Sequence, residues 1–223
     1  MDAVSHLALA CLAFVCLHIV PSTPLRPALV KAVGEKAYLG LFSLASAGGI
    51  VWMVLAFKAA PLTPLWPGIR HLPSAVMPFA LILVVSGVMT PNPSAVGAAK
   101  LLERDEPARG ILRITRHPVM WGILLWSGAH LLARGELKST LFFGSFLLLA
   151  GAGTVLMDLR KAQLGEVWTR YARLTSNLPF LAIAQGRNRL AWRELGVLKI
   201  VIALLLYAVI FHFHIALFGV RPY

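Results

Sequence analysis

Six apolar stretches, at about 3–20, 38–57, 75–90, 118–133, 139–157 and 195–218, alternate with short segments that hold nearly all the charged residues. Most approach the roughly 20 residues a helix needs to cross a hydrocarbon core about 30 Å thick. Helices also leave no backbone group unpaired in lipid. The pattern predicts an all-α fold, a polytopic membrane helical bundle of about six transmembrane helices forming one integral membrane domain over residues 1–223. The run at 75–90 is short and carries Pro78, so a re-entrant or kinked segment is the alternative there.

Composition agrees with the pattern: 58% of residues are hydrophobic and 13% charged, against about a quarter charged in an ordinary soluble domain. The net charge of +12 does not mark a nucleic-acid surface, because the basic residues lie in loops between apolar runs. Of the 21 Lys and Arg, 15 fall in the first, third and fifth connecting segments, and Lys199, at the start of the last run, joins the same side. The positive-inside rule then places those loops in the cytoplasm and both termini outside. The first run has no basic residue before it, only Asp2, and no small-x-small site before Pro21, so it is read as a retained helix. Cys11 and Cys16 sit five apart on that helix and point about 140° from each other, which predicts free thiols.

Along the chain, His18 falls about one turn inside the end of the first run, where an ionisable side chain is expensive unless a partner repays its burial. The adjoining PSTPLRP holds Pro21, Pro24 and Pro27, which disfavour a regular helix. Ser43, Ser46, Gly48 and Gly49 supply small side chains for close helix contact, and the proline-rich segment at 61–73 reads as a stiff interfacial loop. A short surface helix is expected from Gly97 to Glu106, broken at Pro107. Leu164 to Arg173 mixes basic and aromatic residues in the manner of a helix lying against lipid headgroups.

Polar chemistry is densest at Arg113–His130. Arg113, Thr115, Arg116 and His117 precede Pro118, which suits the first position of a helix, and the run ends at His130. His117 and His130 lie roughly 20 Å apart along such a helix and about 140° apart around it, so they do not share one small site. Gly122, Trp126 and His130 form one stripe, either the wall of a pocket for a planar ring or ordinary packing. His212 and His214 point about 200° apart on the last helix and are not read as a ligand pair. Phosphate-loop, dinucleotide, HExxH, GxSxG and cysteine-cluster motifs are all missing. Histidine remains, and a helical bundle that places imidazoles across a flat cofactor makes a haem site one possibility.

HxxxSTPLR at His18–Arg26, GEKAYLGLFSL at Gly34–Leu44, RITRHPVMWGILLWSGAHLLARGEL at Arg113–Leu137 and MDLRKAQLGEVWTRY at Met157–Tyr171 resemble the NnrU family. That family comprises multi-spanning bacterial inner-membrane proteins linked to nitrite and nitric oxide reduction, and is similar to plant zeta-carotene isomerase, which uses haem b in a cis-trans isomerisation of a polyene. The resemblance implies haem b held by His18 and His130 as metal ligands, with His117 as a supporting or alternative residue; Arg116, Gly122 and Trp126 are the further cofactor-binding candidates of the same stretch. Its implied partners are membrane lipid, a lipid-soluble polyene substrate and denitrification enzymes. Ser127 stands where the plant enzymes carry a cysteine before the second ligand. The order RHPxxxG followed by an acid and a tyrosine also looks like isoprenylcysteine and phospholipid methyltransferases, for which Arg116, His117, Gly122, Glu166 and Tyr171 would enclose S-adenosylmethionine. A cofactor-free assembly factor is the third reading, favoured if His18 and His130 occupy different places.

Overall fold

A computed structural model describes residues 1–95 and 97–222. In chain order its helices are α1 (Ala3–Ile19), α2 (Leu25–Val33), α3 (Glu35–Ala59), α4 (Leu72–Met89), α5 (Pro118–Arg134), α6 (Leu137–Ala162), α7 (Glu166–Leu174), α8 (Leu181–Ala184), α9 (Trp192–Leu195) and α10 (Val197–Phe218). Short 3₁₀ turns lie at Val20–Ser22, Ala99–Glu103 and Gly110–Arg113. Among the described residues there is no strand, only an isolated bridge between Pro64 and Glu136. Five helices, α1 continued to Ser22, α3, α4, α6 and α10, are long and apolar enough to cross a membrane. Their outward side chains are apolar: Leu44, Val88 and Val197 are each more than 70% exposed. Apolar groups turned outward suit a solvent of lipid chains.

The pattern predicts about six such helices, and the difference is α5. Pro118 fixes its start and Gly135, at φ 60°, its end. Its 17 residues reach about 25 Å, less than a ~30 Å core. The predicted helix at Gly97–Glu106 reduces to the 3₁₀ turn Ala99–Glu103, because one turn already anchors Leu102 against Ala108, Trp168 and Tyr171. Conversely, PSTPLRP does not keep the chain irregular: α2 starts at Leu25, with Pro27 in its first turn, where a missing amide costs little.

The described residues form two compact units, Met1–Ile69 with His130–Leu149, and Arg70–Ala129 with Ala150–Tyr223. In the first, Asp2 caps α1 by accepting from the Ser5 amide at 2.8 Å. α1 and α3 pack antiparallel, with Trp52 Nε1 donating to His6 at one level and Phe14 lying on Gly49 at another. Leu7, Ala10, Cys11, Phe14, Met53 and Ala56 are buried between them. Phe142 and Phe146 of α6 close the cluster at 5.1 Å from Phe57 and 5.4 Å from Phe14. The proline-rich loop is pinned by the amides of Leu65 and Leu137, which donate to Gly135 and Thr63 at 2.7 and 2.9 Å. Cys11 and Cys16 are free.

In the second unit α10 lies along α4, with Tyr207 donating to the Ser74 carbonyl at 3.0 Å. α5 crosses α4 where glycine removes the obstruction. A Cβ on Gly122 would fall 2.8 Å from the Ala80 carbonyl oxygen and 2.5 Å from a Val84 methyl. The Gly110–Arg113 turn is fastened to α9: Arg113 donates to both Glu194 oxygens at 2.8 Å and to Asn188 at 2.8 Å. The Gly110 amide adds a bond to Glu194 at 3.0 Å, over a buried cluster of Ile111, Leu112, Ile114 and Leu195.

Gly122→Leu is expected to destabilise the fold by about 1–3 kcal/mol through overpacking, seen as a lower unfolding midpoint in detergent, with Gly144→Ala, 3.7 Å from its nearest neighbour, close to wild type. Donation from Arg113 holds Glu194 down to about 2, below the usual 4.5. Because the folded value lies below the unfolded one, the clamp's contribution is complete above about pH 4.5 and is lost as the pH falls toward 2. Thermal midpoints over that window should fall more for wild type than for Glu194→Gln. Parallel declines would mean the clamp carries none of the acid sensitivity.

Candidate functional site

The histidines of the first unit do not converge. His18 Nδ1 lies 2.8 Å from the Phe14 carbonyl, which can only accept, so Nδ1 carries the proton and Nε2 the lone pair, 3.5 Å from Ser46 Oγ. Phe14 and Phe42 flank the ring at 4.2 and 5.3 Å. His130 is half-buried and stacks on Phe143 at 5.1 Å, and Phe143 touches Phe142, which lies on Phe57. His18 is thus beside Ser46 of α3, whereas the ring contacts of His130 run through Phe143 and Phe142 to Phe57, a residue about 16 Å further along α3 than Ser46 at ~1.5 Å per residue. Imidazole nitrogens that share one metal ion each lie about 2 Å from it. This structure therefore does not make His18 and His130 a facing pair, and the two do not fit the two faces of one haem. Among the described residues no group of three or more His, Cys, Asp or Glu could hold a metal ion.

The second unit gathers a different set. Asp158, one turn before the end of α6, receives His117 Nε2 at 2.7 Å and Arg116 Nε at 3.0 Å from each of its oxygens. Arg116 Nη2 is 3.0 Å from Oδ2 as well, and Nη1 donates to Thr175 Oγ1 at 3.2 Å and the Ala172 carbonyl at 3.3 Å. The guanidinium lies 6.0 Å from the Trp168 ring. His117 is 3% exposed. With Nε2–H given to the carboxylate, its lone pair is on Nδ1, the arrangement of an imidazole oriented for proton exchange or ligation.

Local sequence explains how the pair is presented. Thr115 Oγ1 accepts from the His117 amide at 3.2 Å and donates to the Asn177 carbonyl at 2.6 Å. The Arg116 amide donates to Ser176 at 3.0 Å and Trp121 Nε1 to the Asn177 carbonyl at 2.8 Å. Pro118 then begins α5, so His117 sits at the hinge between a pinned strap and a rigid helix. Lys161, buried and one turn beyond Asp158, ties the neighbouring loop by donating to the Pro93 and Ala95 carbonyls at 3.1 Å each.

Two clefts adjoin the cluster. One, of about 460 Å³, is lined by His117 and Ser94 with Val88, Val119, Met120 and Met157. The other, of about 750 Å³, is bordered by Arg116, Arg173, Thr175, Val155, Trp168 and Leu178.

A sequence profile of the family described as NnrU protein matches residues 6–222. The chain belongs to the NnrU family. No curated protein and no solved structure matches it.

Of the positions singled out from sequence, this NnrU-family chain brings Arg116 and His117 together. Gly122 is spent on helix packing against α4, and Trp126 is half-buried about 13 Å along α5 from His117. For the methyltransferase positions, Tyr171 is fully buried beside Trp168, and burial pushes its hydroxyl well above the ordinary phenol range. Glu166 is exposed at the start of α7. Arg116 is already neutralised by Asp158, so the five do not form one enclosure. Asp158 was the missed residue. Its signal was an acid at the end of an apolar run, following a basic-histidine-proline block in the preceding one.

Removing the carboxylate leaves a partly buried guanidinium uncompensated, which costs about 3–5 kcal/mol in such pairs. Asp158→Ala should lower the unfolding midpoint in detergent far more than Glu166→Ala; equal small effects would show that the cluster does not hold these segments together.

Proposed function

We propose that this NnrU-family membrane protein is an isomerase-type enzyme acting on a lipid-soluble unsaturated ligand, such as a polyene, bound in the 460 Å³ cleft. The observation that carries the reading is the His117–Asp158 pair, its imidazole buried and its carboxylate half-buried, charge-compensated by Arg116 and bordering a cleft whose remaining wall is largely apolar. His117 Nδ1 accepts a proton from the carbon beside the conjugated double bonds, the C–H electron pair passes into the conjugated chain, and the resulting imidazolium is held against the Asp158 carboxylate. The same nitrogen returns the proton further along the conjugated chain. Proton count is unchanged, so substrate and product are isomers. In this reading the end of the helices that carries the basic loops faces the cytoplasmic side of a bacterial inner membrane, the side the positive-inside rule favours. Association with nitrite and nitric oxide reduction would come from supply or remodelling of a membrane component used there, and rests on the family resemblance.

Haem b is a second reading, favoured by one observation: His18 donates Nδ1–H to a backbone carbonyl, which leaves the Nε2 lone pair, with only a long 3.5 Å contact to Ser46 Oγ, in the orientation a metal ligand needs. In that reading His18 is a single protein ligand and His130 is not its partner. The separation of these two histidines also suits a cofactor-free assembly factor, which needs no proton-exchanging pair.

The test uses the full chain in nanodiscs with a cis-polyene in deuterated water, following isomer ratio and deuterium uptake by mass spectrometry. His117→Gln is expected to slow turnover about 10²–10⁴-fold, the usual worth of general acid–base catalysis, while His130→Ala retains it. Turnover surviving in His117→Gln, or none in wild type, overturns the proposal. An absorption spectrum of the same preparation reports on haem: a Soret band lost in His18→Ala and kept in His130→Ala supports single ligation.

A further inference from the structure

The larger cleft carries a charge pattern that proton exchange at His117 does not use. Arg116, Arg173 and Arg187 border it and no carboxylate does. Arg116 is answered by Asp158, but its Nη1 shares an acceptor with a second guanidinium: the Ala172 carbonyl receives Arg116 Nη1 at 3.3 Å and Arg187 Nη1 at 3.5 Å. Arg187 Nη1 also donates to the Arg173 and Thr175 carbonyls, and its Nε to Gln185 Oε1 at 2.8 Å. These partners are neutral, so they hold the guanidinium at the edge of the cleft without cancelling its charge. Among the described residues its Nη2 has no acceptor, and both donors there are open. Arg173 stands in the last turn of α7, and among the described residues its side chain makes no hydrogen bond and no ion pair. Two uncompensated cations thus border one cleft. Val155, on the span candidate α6, supplies its apolar wall with Leu178 and Leu181, and all three are exposed. The surroundings are cationic as well, with eight Lys and Arg between 160 and 199 against Glu166 and Glu194. Guanidinium groups at the end of a membrane helix, next to apolar side chains that face outward, match the order of groups along a phospholipid, whose phosphodiester sits just outside its acyl chains.

We propose that this cleft binds an anionic phospholipid of the surrounding bilayer, its phosphodiester accepting from Arg173 and from Arg187 Nη2 and its acyl chain running over Leu178, Leu181 and Val155. A free phosphate would leave the apolar wall uncovered. A zwitterionic lipid would bring an ammonium to a cleft whose lining has no carboxylate to receive it. His117 is not part of this lining, so the assignment stands whether or not that residue exchanges protons.

The experiment is native mass spectrometry of the full-length protein in detergent, titrated with phosphatidylglycerol and with phosphatidylcholine of the same acyl chains. Wild type is expected to bind the first about tenfold or more tightly, the worth of two basic groups at a membrane surface. Arg173→Gln, which breaks no side-chain bond within the described residues, should cut that preference severalfold. Leu178→Glu, which sets a carboxylate in an exposed part of the wall, should abolish it. Arg189→Gln removes a charge from the same loop but lies outside the lining, and should keep the preference. Equal binding of the two lipids by wild type, or a preference that survives both Arg173→Gln and Leu178→Glu, overturns the site. An equal loss in Arg189→Gln and Arg173→Gln would mean diffuse surface charge and overturns it too. Glycerol 3-phosphate binding as tightly as the lipid would make the occupant a soluble phosphate ester, and the lipid assignment falls.

Discussion

A carboxylate carried near the end of an apolar helix has to be compensated where it lies, and in this protein that requirement organises the surrounding chain. Asp158 receives bonds from Arg116 and His117, and Arg116 uses its remaining donors on Thr175 and Ala172 beyond α7. Guanidinium suits the task because its planar fork meets a carboxylate with two parallel bonds and still has donors to spare. Three segments distant in sequence are thereby fixed to one anion. Removing the anion leaves the cation buried, which is why the pair is more costly to break than to have.

The consequence of that constraint is positional. The strap of residues 114–117 is held on one side by carbonyls at 176 and 177 and on the other by Asn92, whose side chain donates to the Arg116 carbonyl at 3.2 Å. The imidazole it presents cannot swing, so its unbonded nitrogen has a fixed direction. A rigidly held imidazole beside a largely apolar cleft is a different arrangement from a cofactor slung between two helices. The latter needs two imidazoles at one level, and α1, α3 and α6 place His18 and His130 at two.

The family match covers every member of this cluster. Agreement over residues 6–222 fixes the family, while the chemistry still has to come from side chains. Arg116 and His117 belong to that block, and Asp158 to the MDLRK segment that comes after it. Segments separate in the sequence meet at a single carboxylate.

The helical, membrane-spanning character was legible from the alternation of apolar runs and charged loops, because in lipid hydrophobicity over about 20 residues leaves few structural choices. So were the amphipathic helix at 166–174 and the start of α5 at Pro118, both set by local sequence. The length of α5 was not, since its end is set by Gly135 meeting the Trp66 carbonyl, a contact with a loop 69 residues away. Helical periodicity likewise says which residues share a face of one helix, never which faces meet: it leaves Gly122 open between lining and packing, and the contact with α4 decides for packing. The sequence by itself determined the solvent and the secondary structure of this protein. Only the tertiary structure decided that Asp158 answers Arg116 and His117, and that His18 and His130 stay apart, because the depth and rotation of one helix against another are set by side-chain packing between distant segments.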